Sequence, residues 1–185
     1  MNKNDFENKS LIYIICIAYF FNLVFSIAGH CYRDNPHYLV LLYQIGNAFA
    51  ISASVIAGRY VGMRGEQVAA SSFVLMGITH GISLAALSKG SINMEREMTM
   101  AIPMIPALIF IFWCSLFPLW LRMLGLIPIA FFTCTYVCAH TGHNKYDWAL
   151  PAGYAALQII ELLWSYYMWK DWKQQRNTHQ TAVLR

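Results

Sequence analysis

Charge is scarce in this 185-residue chain, and that scarcity excludes more than any motif establishes. Asp, Glu, Lys and Arg make up 12% of the residues, about half the share of roughly 25% found in soluble domains. Long polar stretches are also missing. The longest are residues 1–10, 88–100 and the tail from Lys170, and none can surround a water-soluble core. No basic run interleaves with aromatics, so a nucleic-acid partner is not expected. The net charge of +4 comes from Lys and Arg at the ends of apolar runs.

Cysteine is sparse and badly placed for cross-links. Cys16, Cys114, Cys134 and Cys138 lie inside apolar runs, where the thiol behaves as a small hydrophobe. Only Cys31 falls in a polar break, so no disulfide framework is implied. Also absent are a Walker loop, His-Glu-x-x-His, Gly-x-Ser-x-Gly and Cys-x-x-Cys. No internal repeat stands out. Pro103-x-x-Pro106 has no counterpart in the first apolar run, which counts against a carrier built from two inverted halves.

What fills the chain instead is apolar sequence, at 58% of residues. It falls into six runs, at about 11–29, 38–58, 68–87, 101–119, 123–139 and 149–169, followed by a tail at 170–185. A helix needs about 20 mostly apolar residues to cross the roughly 30 Å hydrocarbon core. In lipid every backbone polar group must be bonded internally, and runs that are apolar on all sides satisfy this as helices. The expected fold is therefore all-α: one polytopic membrane domain, a six-transmembrane-helix bundle with short loops. Pro118, Arg122 and Gly125 are expected to mark a tight hairpin between the fourth and fifth spans, because one helix across that stretch would be twice too long. Ser26-Ile27-Ala28 loosely resembles a signal cleavage site. The run before it exceeds a signal peptide's apolar core, and an uncleaved first helix is expected.

Six spans put both termini on one side. That side collects Lys3, Lys9, Arg59, Arg64, Arg122, Lys170, Lys173, Arg176 and Arg185, against Arg33, Lys89, Arg96 and Lys145 on the other. The bias places the termini in the cytoplasm of a plasma or inner membrane. Trp164, Tyr166, Tyr167, Trp169 and Trp172 cluster where the last helix would leave the bilayer, as interface anchors do.

Three features carry candidate function. The second run repeats small residues every four positions, at Gly46, Ala50, Ser54, Gly58 and Gly62, and the third carries Gly77, Gly81 and Ala85. Such stripes let membrane helices approach closely, within one chain or against a homo-oligomer or membrane-complex partner. Second, His30, His37, His140 and His143 lie at the outer helix ends, with His80 about two turns deeper. His30, His80, His140 and His143 are the candidate ligands for a metal or haem in a pocket open to the outside. Cys134, Cys138, His140 and His143 only superficially follow a zinc spacing, since structural zinc favours two tight pairs in separate loops. A solvated loop carrying Glu95, Arg96 and Glu97 would add carboxylates to that face.

The third feature is Glu161, near the middle of the last run with Gln158 one turn before it. An ionisable side chain at the bilayer centre costs about 2.5–3.5 kcal/mol on insertion scales, so it is expected to face the bundle interior with a partner. Asn22, Asn47 and Thr133 lie at similar depth, with Gln44 and His80 further out. Glu161, Gln158, His80, Asn47 and Asn22 form the candidate ligand-binding set, and Glu161 is the candidate catalytic or proton-relay group. These features leave three readings: an outward-facing His-lined pocket for a metal, haem or small polar ligand; a non-catalytic membrane subunit; or a proton-coupled transporter or membrane-embedded hydrolase.

Overall fold

The computed structural model describes residues 3–87, 102–141 and 148–183. Seven α-helices run through them: α1 (Lys3–Cys31), α2 (Pro36–Met63), α3 (Gln67–Leu87), α4 (Met104–Phe110), α5 (Leu119–Leu124), α6 (Leu126–His140) and α7 (Ala149–Val183). No strand occurs among the described residues. Four stretches are long and apolar enough to cross a bilayer: Asn8–Cys31, Pro36–Met63, Gln67–Leu87 and Leu119–Cys138. Along α1 the side chains of Tyr13, Ile14, Ile17, Phe20, Phe21, Val24 and Ile27 are exposed, an outward apolar face that suits lipid rather than water.

The helix boundaries follow local chemistry. At the start of α2, Asn35 accepts from the Tyr38 amide and Pro36 occupies the first turn, where its missing N–H costs nothing. α2 is capped by Arg64, and Gly65 adopts φ +85°, a left-handed turn that leads directly into α3. Small residues then bring α2 and α3 together. A Cβ on Gly58 would sit 3.1 Å from the Ala70 carbonyl, and one on Gly77 would sit 3.3 Å from Val55 Cγ2. Ala50 and Ser54 are fully buried, whereas a Cβ on Gly81 would meet nothing within 4 Å.

The fourth segment departs from expectation. α4 has seven residues and passes into a 3-10 turn at Ile111–Trp113, so its described part reaches only about half of a bilayer. The chain reverses at Cys114–Pro118, where both end residues are extended. Pro118 then caps the start of α5. Gly125, expected in the hairpin, has α-helical angles (φ −58°, ψ −20°) and carries α5 on into α6. Arg122 also belongs to the fold: its Nη1 donates to the Phe112 carbonyl at 2.9 Å, satisfying an acceptor exposed by the reversal.

The last helix extends beyond its apolar run. α7 has 35 residues, about 50 Å at 1.5 Å each, and absorbs most of the expected tail. Gln158, Glu161 and the aromatic run dilute its hydropathy, so it does not join the four stretches named above. α7 packs on α1 and α6, and α3 packs on α4. Where these layers meet, Trp164 is fully buried, edge-on to Phe73 at 5.5 Å and stacked on Phe117 at 6.0 Å.

A candidate buried His–Glu site

Four helices contribute polar side chains to the bundle interior. On α1, Tyr19, Asn22 and Ser26 fall three and four residues apart, so one face of an otherwise apolar helix is polar. On α7, Gln158, Glu161 and Ser165 repeat that spacing. α2 supplies Asn47 and Ser54, seven residues apart, and α3 supplies His80. Gly46 lets α2 approach α1 here, since a Cβ on it would lie 3.4 Å from Asn22 Oδ1.

Glu161 is completely buried, and Asn22 and His80 nearly so. Asn22 Nδ2 donates to Glu161 Oε2 at 3.1 Å, crossing from α1 to α7. The other carboxyl oxygen, Oε1, faces His80 Nε2 at 3.5 Å. That separation lies just beyond ordinary hydrogen-bond length, and among the described residues neither atom has another hydrogen-bond partner. On its far side, His80 Nδ1 lies 3.0 Å from Asn47 Oδ1, and Asn47 Nδ2 donates to the Tyr43 carbonyl at 2.9 Å. Asn22, Glu161, His80 and Asn47 thus line up across all four helices, hydrogen-bonded at both ends with the 3.5 Å Glu161–His80 contact between them.

The flanking groups are satisfied separately. Gln158 Nε2 donates to Ser26 Oγ one turn from the carboxylate, and the Tyr19 hydroxyl pairs with Ser54 Oγ at 3.2 Å. Tyr19, Ser26 and Ser54 were not singled out from sequence as polar partners. The three-and-four spacing on α1 is the signal that would have found the first two. A second polar cluster, also unforeseen, lies ten residues further along α7. Asp171 accepts from Arg64 through both carboxylate oxygens, at 2.9 and 3.0 Å, and from the Tyr60 hydroxyl at 2.6 Å and Gln175 at 2.7 Å.

Of the residues expected to share a site, His80, Glu161, Asn22 and Asn47 converge, and Gln158 sits one turn away. Thr133 is exposed and Gln44 half-buried, and neither belongs to that line of side chains. His30 and His37 are exposed at the α1–α2 turn. His140 ends α6, but its side chain and all of His143 lie outside the described residues, as do Glu95, Arg96 and Glu97. Cys134 and Cys138 approach each other at 3.9 Å. Among the described residues no group of three His, Cys, Asp or Glu side chains is placed to hold a metal ion.

No family model matches the chain, and neither curated proteins nor solved structures yield a match. The chemistry of the site therefore rests on its own residues: a carboxyl and an imidazole held face to face inside a bundle of largely apolar helices.

Proposed function

We infer that this chain is an integral membrane protein acting as a proton-coupled carrier through His80 and Glu161. The carrying observation is the pair's geometry: His80 Nε2 and Glu161 Oε1, both buried, face each other with no other hydrogen-bond partner among the described residues. One proton between them keeps the pair neutral, as imidazole with carboxylic acid or imidazolium with carboxylate. Removing it leaves a net negative charge in a low-dielectric interior, which is costly unless helices or water rearrange. Proton loss and gain are thereby linked to movement of α3 against α7. That linkage is what coupled transport requires.

Two further observations favour this reading over its rivals. The Ser26 and Ser54 hydroxyls are engaged by Gln158 and Tyr19, so neither faces Glu161 as a hydrolase nucleophile would. Gly46, Gly58 and Gly77 press against residues of their own chain, which accounts for the small-residue stripe without a partner subunit. Coupling here would act through the contact between α3 and α7 and does not need two symmetric halves.

Solid-supported-membrane electrophysiology tests the reading without a known solute. Proteoliposomes of the full chain are expected to show a transient charge displacement after a pH jump. Glu161→Gln and His80→Gln are expected to abolish it while eluting as wild type. Wild-type traces identical to those of protein-free liposomes, or a Glu161→Gln trace identical to wild type, would overturn the reading.

A further inference from the structure

The hydrogen bonds around His80 fix more than its position. Asn47 and Tyr43 are one helical turn apart on α2, and the Tyr43 carbonyl can only accept. The Asn47 amide nitrogen must therefore point at Tyr43, which turns Oδ1 toward His80 Nδ1 at 3.0 Å. An amide oxygen also only accepts, so the favourable arrangement puts a proton on Nδ1. The neutral ring's lone pair is then on Nε2, the atom facing Glu161 Oε1. On the other side, Asn22 Nδ2 donates to Oε2, leaving Oε1 as the oxygen that holds or accepts the pair's proton.

We propose that Asn47 is the positioning residue of this site. It locks the His80 ring with a proton on Nδ1, so that the exchangeable proton moves only between Nε2 and Glu161 Oε1. This deepens the proton-coupled reading and rests on it. Asn47 itself holds no transferable proton. Its backbone-anchored amide selects one of two tautomers, and the other would point an N–H at the Asn22–Glu161 side permanently. Losing one such bond is expected to shift the tautomer ratio about fivefold to tenfold, the size of one buried hydrogen bond.

The test is solid-state NMR of the full chain in lipid nanodiscs with 15N-labelled histidine. The His80 signals are identified by their loss in His80→Gln. In wild type, Nδ1 is expected to stay protonated across the titration while only Nε2 changes. Asn47→Leu is expected to mix the two tautomers, and Asn47→Asp, whose carboxylate still accepts, to restore the lock. A neutral wild-type ring protonated on Nε2 overturns the assignment whatever the variants do, including any that fail to fold. A folded Asn47→Leu protein with the wild-type ratio overturns it as well. A locked Nδ1–H without any pH-jump current upholds Asn47's role and removes the carrier reading alone.

Discussion

Gly58 offers a prediction whose size can be worked from geometry. It lies fully buried between α2 and α3, and a Cβ there would meet the Ala70 carbonyl at 3.1 Å, Val74 Cγ2 at 3.3 Å and Phe73 Cβ at 3.4 Å. The first neighbour is backbone and the third belongs to a fully buried ring, so neither yields easily. Ala at this site needs a shift of a few tenths of an ångström. Leu adds three more carbons to the same gap, and overpacking of this kind costs about 1–3 kcal/mol. Better helix propensity returns about 1 kcal/mol, leaving a net loss of up to about 2 kcal/mol for Gly58→Leu. Gly81 is the internal control: its Cβ would meet nothing, so Gly81→Ala is expected to gain about 0.4–1 kcal/mol. Reversible unfolding in mixed micelles measures both, with light scattering for mass. If Gly58→Leu unfolds like wild type while the oligomer mass falls, the stripe packs between chains and the reasoning fails.

Other expectations follow from single contacts. Asn22→Leu removes the donor to Glu161 Oε2 and is expected to cost about 1–3 kcal/mol in the same unfolding assay. Arg64→Ala breaks a partly exposed ion pair and is expected to cost under about 1 kcal/mol. Asp171→Ala is expected to cost more, since it also takes from the buried Tyr60 hydroxyl its 2.6 Å acceptor and leaves it only the Met168 carbonyl at 3.4 Å; equal losses would contradict that ranking. Arg122→Met frees the Phe112 carbonyl, and amide hydrogen exchange across residues 114–121 is expected to quicken while that of α1 stays unchanged.

The membrane-helical class and the core of the site were legible because both depend on one-dimensional signals. Apolar run length located the helices, and the depth of a lone carboxylate in a span pointed to Asn22, which bonds it, and to Asn47, which bonds His80 instead. His80, expected further out than those two, is the residue that faces the second carboxyl oxygen. Depth counted along helix axes ignores the reach of the two side chains, which closes the remaining gap. Thr133 failed for the opposite reason: it shares the depth, but hydropathy on α6 does not say which face turns inward. The fourth segment misled because proline marks a break without saying which side of it bends. Pro118 starts a helix, and the reversal falls at the residues just before it. The Asp171 cluster was invisible because polar residues beyond a span read as tail, although α7 continues straight through them.

Isotope-edited infrared spectroscopy of the lipid-embedded protein, with 13C-labelled glutamate, addresses most directly whether one carboxyl deep in the bundle exchanges a proton. Subtracting Glu161→Gln from wild type should leave a single carboxyl band that converts to carboxylate with pH, and His80→Gln should displace it. A difference band that stays carboxyl, or stays carboxylate, at every pH would mean that Glu161 is only a structural clasp.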